Sequence, residues 1–136
     1  MTKLYLDIDG VLLHKNGSIP EGAQEFLGIV VSHFECHWLT THCKGDSKTA
    51  LKYLMRYYPS EYEEIFANIR PTNWDAMKTE GIDFSSEFYW IDDQPFESEQ
   101  RTLQVMGVSD SLIVVNLSNP NELTRVLRVL KKHPAF

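Results

Sequence analysis

The chain has 136 residues, 43% of them hydrophobic, which is the size and composition of one ordinary domain with one core. Its formal net charge of −6 gives no general attraction to nucleic acid or to an anionic membrane surface. No apolar run reaches the ~20 residues that a membrane-spanning helix needs. Two cysteines are too few for a disulfide framework, so we expect a cytoplasmic protein without a membrane partner.

Five apolar runs alternate with amphipathic stretches along the chain, an order typical of a parallel sheet with helices on both faces. The predicted strands lie near residues 3–8, 35–40, 65–69, 87–91 and 111–115. We therefore expect an α/β fold, a doubly wound three-layer sandwich with a five-stranded parallel sheet. The same pattern predicts a single domain over residues 1–136, because no linker or composition change interrupts it.

The first predicted strand ends in two acids and a glycine. Asp7 and Asp9 are two residues apart, and side chains at that spacing in an extended segment point the same way. Like charges this close repel, so a divalent cation or a shared proton is needed to make the pair tolerable. Gly10 then turns the chain, and the Asn-Gly pair at 16–17 predicts a small hairpin flap near residues 11–19.

Helical periodicity fills most of the stretches between strands. Pro20 is placed to open a helix whose apolar residues repeat at three and four positions as far as Phe34. A second helix is predicted from Asp46 or Ser47 to just before Pro59. The remaining predicted helical segments are 74–79, 98–106 and 122–132.

A cationic stripe runs along the second predicted helix. Lys48, Lys52 and Arg56 recur at a spacing of four residues, with Lys44 just before them. A solvated helix face is one interpretation of such a stripe. The other is a surface that holds a phosphate-bearing substrate, such as the end of a nucleic acid.

A second pair of acids follows the fourth predicted strand. In an open parallel sheet, ligands bind beyond the carboxyl ends of the strands. Asp92 and Asp93 come directly after the apolar run at 88–91, as Asp7 and Asp9 follow the first strand. Four carboxylates at one edge form an oxygen-rich pocket suited to Mg²⁺, so we predict that all four line a magnesium site.

Four features occur in a familiar order: Asp-Ile-Asp-Gly-Val-Leu, a strand ending in Thr, a Lys in a later connection, and Ile-Asp-Asp. They resemble the four motifs of the haloacid dehalogenase-like (HAD) hydrolase superfamily over nearly the whole chain. The resemblance implies phosphoryl transfer through an aspartyl-phosphate intermediate, with Mg²⁺ as cofactor. It also implies a capless enzyme, because the chain has no room for the cap domain that many members insert.

Residue roles follow from the resemblance. Asp7 would be the nucleophile, and Asp9 would protonate the leaving oxygen while its main-chain carbonyl binds the cation. A carboxylate at position 9 favours phosphatase over dehalogenase chemistry. Thr40 would hydrogen-bond a phosphoryl oxygen, with Thr41 as the second choice because the end of the strand is uncertain in sequence.

A basic side chain is also expected beside the phosphoryl group. Lys78 fits best, since it lies at the start of the connection into the fourth strand, and Arg70 is its rival. In the later pair of acids, Asp93 aligns with the usual magnesium ligand, and Asp92 would orient Lys78 or a bound water. Glu97 is a further candidate acid at the edge of the site, or simply a solvated helix start.

The predicted function is therefore a magnesium-dependent phosphomonoester hydrolase with an open active site. Relatives of this build act on macromolecules or borrow a cap by forming homo-oligomers, so the phosphorylated substrate is either small or macromolecular. One alternative is a phosphatase for nucleotides or nucleic acid ends, and another is a non-catalytic metal-binding protein of the same fold. The residues predicted to contact substrate are Gly10, Thr41 and Lys48.

Overall fold

The structure is a computed structural model that describes residues 1–134 and 136, and within them it is an α/β fold around a four-stranded parallel sheet. The strands are β1 (Lys3–Leu6), β2 (Glu35–Trp38), β3 (Phe88–Asp92) and β4 (Leu112–Val114). The helices are α1 (Ala23–His33), α2 (Lys48–Leu54), α3 (Glu63–Ala67), α4 (Glu97–Val105) and α5 (Glu122–Leu130), with 3₁₀ turns at Ser60–Tyr62, Lys78–Gly81 and Ser109–Ser111. None of these helices is both long enough and apolar enough to cross a lipid bilayer.

Alternating side chains of the sheet pack into two separate cores. In β1, Leu4 and Leu6 belong to the larger core, which also holds buried residues of α1, α2, α3 and α5. Tyr5 faces the opposite way into a smaller core with Trp90 of β3, and Leu103 of α4 closes it. The sheet is therefore covered on both faces, as the alternation of apolar runs predicted.

The third predicted strand, at 65–69, is wrong. That segment belongs largely to α3, because Tyr62, Phe66 and Ile69 are buried at spacings of four and three, which is the period of a helix face and not of a strand. Only Arg70 pairs with the outer edge of β2, through hydrogen bonds of 2.9 and 2.8 Å. The sheet therefore has four strands and not five over the described residues.

The predicted flap consists of consecutive turns, and no strand pair flanks them in the part of the chain that the structure describes. The N–H of Gly10 donates to the carbonyl of Leu13 at 2.8 Å, and the N–H of His14 donates to the carbonyl of Ser18 at 2.9 Å. Residues 11–13 are all buried in succession, so they cannot alternate between core and solvent as a hairpin strand does.

Two helical segments begin later than predicted. α1 begins at Ala23 and not near Pro20, because Gly22 takes a left-handed conformation with φ 78° directly before it. The turn predicted over 74–79 is displaced to Lys78–Gly81.

The strand order β2-β1-β3-β4 places the functional edge of the sheet at β1. From β1 the chain crosses to β2 on one side, and it later returns to β3 on the other side. Such a switch point opens a crevice at the carboxyl ends of the strands. Leu6 pairs with Ile91, so the residues that follow them, Asp7 and Asp92, reach the same edge.

Candidate active site

Three of the four predicted carboxylates meet at the carboxyl edge of β1 and β3. Asp7, Asp92 and Asp93, which we call the acid trio, each offer an oxygen, and these oxygens all lie within 4.8 Å of one another. The pairing of β1 with β3 continues one residue beyond β1, since the N–H of Asp7 donates to the carbonyl of Ile91 at 3.1 Å. Asp7 and Asp92 are buried, and Asp93 is half-buried.

Lys78 is the cation of this site. Its Nζ donates a 2.7 Å hydrogen bond to Oδ2 of Asp92 and lies 3.3 Å from Oδ2 of Asp7. Burial alone would lower the pKa of Lys78, but the charges of Asp7 and Asp92 outweigh it and raise the pKa above its usual value. The rival cation, Arg70, lies at the edge of β2, where it pairs with Glu35 at 3.5 Å and is largely exposed.

The acid trio carries more negative charge than Lys78 offsets. Burial, reinforced by the neighbouring charge of Asp92, raises the pKa of Asp7 to about 7, although Lys78 and the N–H of Ile8 act in the opposite direction. Burial and Asp92 also raise the pKa of Asp93. A raised carboxyl pKa in this setting means that the cluster lacks positive charge, which a bound cation would supply.

The cradle around the trio fits a small, hard cation such as Mg²⁺. The donors are carboxylate oxygens from two strand ends, which is the ligand chemistry that Mg²⁺ prefers. The absence of a side chain at Gly10 leaves room for the Asp93 carboxylate, because a Cβ built at this position would lie 2.1 Å from Oδ2 of Asp93. The structure places Gly10 against the Asp93 carboxylate with φ 81°, and the predicted contact of Gly10 with substrate stays a prediction.

Asp9 is not part of the trio. Its side chain is about half exposed, and both of its oxygens are engaged elsewhere: the hydroxyl of Tyr53 donates to Oδ1 at 2.7 Å, and Nε2 of His42 lies 2.9 Å from Oδ2. The His42 and Tyr53 rings are stacked, with centroids 3.9 Å apart. The structure therefore separates the carboxylate of Asp9 from the three acids that sequence analysis grouped with it. The predicted cation contact through its main-chain carbonyl stays a prediction.

Of the two candidate threonines, Thr40 lies inside and Thr41 faces solvent. The N–H of Leu39 donates to the carbonyl of Leu6 at 2.7 Å, which continues the register of β1 and β2 so that Leu39 is opposite Asp7 and Thr40 is one residue further on, at the same edge of the sheet. Thr40 is fully buried, and its hydroxyl accepts the N–H of His42 at 3.3 Å. Thr41 is exposed, so Thr40 is the better placed of the two to contact a phosphoryl group.

The predicted cationic stripe is exposed on α2 and in the turn that follows it. Lys48 lies in the first turn of α2, where its N–H donates to Oδ1 of Asp46 at 2.9 Å. Lys48, Lys52 and Arg56 are all exposed, whereas Lys44 lies over the ring of Trp74 at 4.3 Å. Their side chains are therefore available to a ligand, but neither the two lysines on α2 nor Arg56 after it makes a hydrogen bond or ion pair with the acid trio in the described structure.

Glu99 is a site residue that sequence analysis missed. Its buried carboxylate accepts the main-chain N–H of Lys78 at 2.6 Å and that of Phe96 at 2.8 Å. An acid at the third position of a helix is a recognisable capping signal, which could have singled out Glu99. The residue proposed instead, Glu97, is exposed and pairs with Arg101 at 3.4 Å.

A cleft of about 680 Å³ adjoins the acid trio on one side. It is lined by Gly10 and Asp93, by the turns near Asn16 and by the loop near Asn116. Solvent or a polar group can therefore approach Asp93 from this side.

Comparison of the chain with protein-family models, with curated proteins and with solved structures found no match. The function is accordingly inferred from the geometry of the acid trio and its neighbours.

Proposed function

We propose that this chain is a magnesium-dependent phosphomonoester hydrolase of the haloacid dehalogenase-like type, with an open, capless active site. The observation that carries the proposal is the convergence of Asp7, Asp92 and Asp93 on one point at the switch point of the sheet, with Lys78 against two of them. A carboxylate nucleophile, further carboxylates that can hold Mg²⁺ and a lysine that stabilises phosphoryl charge are groups that phosphoryl transfer uses in one place.

Asp7 and Asp93 would hold the cation. Asp92 is less suited, because its Oδ2 accepts from Lys78 and its Oδ1 accepts the N–H of Gln94 at 3.0 Å. A bound Mg²⁺ would keep Asp7 ionised and neutralise charge on the phosphoryl oxygens. Asp92 then serves to orient Lys78, which is the division of roles that the resemblance implied.

Each polar side chain of the site has a separate role in the proposed hydrolysis of a phosphate ester. An oxygen of Asp7 attacks phosphorus as the bond to the leaving oxygen breaks, and Asp9 gives its proton to that oxygen. This step converts Asp7 into an aspartyl phosphate. A water molecule attacks its phosphorus, Asp9 takes the water proton, and inorganic phosphate leaves. Thr40 donates a hydrogen bond to a phosphoryl oxygen, and Lys78 stabilises the charge on another.

Hydrolysis of p-nitrophenyl phosphate with and without Mg²⁺ tests the proposal. We expect turnover that depends on Mg²⁺ and is abolished in Asp7→Asn. The matched control is Asp110→Asn, an exposed acid in a 3₁₀ turn away from the trio, which should retain the parental rate. Mass spectrometry of acid-quenched enzyme should find one added phosphoryl group on the peptide that contains Asp7. Undiminished turnover in Asp7→Asn would remove this residue from the mechanism.

The stripe on α2 supports a second candidate substrate class, nucleotides or nucleic acid ends. Lys48, Lys52 and Arg56 are exposed on an otherwise acidic chain, and the neighbouring Tyr57 presents an exposed ring. Phosphorylated oligonucleotides should then be better substrates than sugar phosphates. Neutralising Lys48 and Lys52 together should weaken oligonucleotide binding and flatten its salt dependence. Parental behaviour of that double variant would assign the stripe to ordinary solvated surface.

A non-catalytic metal-binding protein is the alternative from another class. It predicts Mg²⁺ binding to the trio without turnover of any phosphate ester. We propose a cytoplasmic setting, which agrees with Cys36 and Cys43 being unpaired and buried.

A further inference from the structure

We propose that His42 and Tyr53 are positioning residues that keep the carboxylate of Asp9 off the cation, so that Asp7 and Asp93 hold the metal and Asp9 is reserved for the substrate. This inference rests on the proposed phosphatase function. It names two residues of this chain that sequence analysis did not connect to the site.

Both oxygens of Asp9 are occupied by this pair. Tyr53 donates its hydroxyl to Oδ1 at 2.7 Å, and Nε2 of His42 lies 2.9 Å from Oδ2, so the carboxylate is fixed at two points. The hydrogen bond to Asp9 raises the pKa of Tyr53 to about 12, so its hydroxyl stays a proton donor at any physiological pH. Two contacts on one carboxylate restrict its rotation far more than one contact does.

The His42 and Tyr53 rings, which contact Asp9, are fixed by packing against each other and against Tyr57. His42 stacks on Tyr53 at 3.9 Å with an angle of 13° between planes, and Tyr57 contacts Tyr53 edge-on at 5.5 Å. Tyr57 in turn lies against Gly17 of the flap, where a Cβ would come within 2.6 Å of its ring. The aromatic row thus connects α2 to the flap and leaves the carboxylate of Asp9 little freedom to move.

Without these two contacts, the carboxylate of Asp9 could bind the cation instead of facing the substrate. Asp9 lies two residues after Asp7 and directly before Gly10, which packs against the Asp93 carboxylate, so the backbone of Asp9 is already beside the trio. A cation in the trio would attract a fourth free carboxylate, and binding strength for hard cations rises with the number of charged ligands. A carboxylate captured in that way could no longer exchange a proton with the leaving oxygen.

The first test measures Mg²⁺ affinity by isothermal titration calorimetry and requires no turnover. The double variant Tyr53→Phe/His42→Phe keeps both rings and removes both polar contacts. We expect it to bind Mg²⁺ at least ~5-fold more tightly than the parent, because Asp9 becomes free to join the cation. Tyr57→Phe removes a hydroxyl from the same aromatic row, and Tyr58→Phe removes the 2.6 Å hydrogen bond to the Leu12 carbonyl; both should keep the parental affinity. Unchanged affinity in the double variant would overturn the proposal.

The second test compares leaving groups. An alkyl phosphate such as glycerol phosphate needs a proton on its leaving oxygen, whereas p-nitrophenolate leaves readily without one. In a single turnover, we expect the double variant to transfer the phosphoryl group to Asp7 ~100-fold more slowly from the alkyl phosphate and less than ~3-fold more slowly from p-nitrophenyl phosphate. The later hydrolysis of the phosphoenzyme, which also uses Asp9, is common to both substrates and lies outside this measurement. An equal loss in the transfer step on both substrates would contradict a role exerted through Asp9. If the parent protein hydrolyses neither substrate, the proposed function fails, while the calorimetric comparison still decides whether His42 and Tyr53 hold Asp9 away from the cation.

Discussion

The main-chain N–H of Lys78 donates a 2.6 Å hydrogen bond to the buried carboxylate of Glu99, whose other oxygen accepts the N–H of Phe96 at 2.8 Å. One side chain therefore joins the segment that carries the lysine to the start of α4. Because α4 begins four residues after Asp93, the same carboxylate holds the lysine segment beside the strand end that carries Asp92.

Replacing Glu99 should affect both stability and catalysis. In Glu99→Ala two main-chain N–H groups lose their acceptor, so we expect the free energy of unfolding to fall by about 1–3 kcal/mol. We also expect kcat to fall, because Lys78 is no longer fixed against Asp92. Urea unfolding and steady-state kinetics measure the two effects. Glu97→Ala, on the same turn of α4 but exposed, is the control and should change neither; equal effects from the two variants would show that Glu99 has no special role.

Part of this site is predictable because it depends on neighbours along the chain. Asp7, Asp92 and Asp93 directly follow apolar strands, and the carboxyl ends of parallel strands share an edge, so their meeting follows from local pattern and fold class. The residues that complete the site contact it across long separations. Glu99 reaches Lys78 across 21 residues, and Tyr53 reaches Asp9 across 44. No local pattern specifies such pairings.

The error in strand number has a comparable cause. The apolar content of segment 65–69 predicts a strand, yet the residues that decide its structure include Tyr62, which lies outside it. Only with Tyr62 included does the spacing to Phe66 and Ile69 show a helix face. Short apolar runs are ambiguous when they are interpreted without their flanks.

The two candidate cations can be separated by substitution. Lys78→Met leaves Asp7 and Asp92 buried without their partner, so we expect a loss of about 3 kcal/mol in unfolding free energy at neutral pH without metal. Phosphatase activity should be lost as well. Arg70→Met breaks only an exposed pair with Glu35 and should leave activity at the parental level. Loss of activity in Arg70→Met alone would reverse the assignment.

The raised pKa of Asp7 predicts how metal-free stability depends on pH. Its folded-state pKa of about 7 exceeds the usual 3.8, so the folded protein holds a proton that the unfolded chain has released between these values. The stabilisation is complete below pH 3.8 and is lost as pH rises through about 7. In the presence of a chelator, unfolding free energy should therefore fall by about 2–3 kcal/mol more between pH 5 and pH 8 in the parent than in Asp7→Asn. Urea unfolding at the two pH values measures this difference, and parallel pH dependence in the two proteins would contradict it.

Gly10 offers a direct test of the cation site, because Gly107 shares its left-handed backbone conformation but not its surroundings. Gly10 has φ 81° and Gly107 has φ 72°, so replacing either with Ala should cost about 1–2 kcal/mol in backbone strain. A Cβ at Gly10 would also lie 2.1 Å from Oδ2 of Asp93, whereas a Cβ at Gly107 meets no atom within 4 Å. Gly10→Ala should therefore displace Asp93 and weaken Mg²⁺ binding by ~10-fold in a calorimetric titration, since one of few charged ligands is moved. Gly107→Ala should be destabilised to a similar degree and bind Mg²⁺ as the parent does. Equal affinities in the two variants would mean that Asp93 does not hold the cation, because the shared backbone strain is matched and only the displacement of this carboxylate distinguishes them.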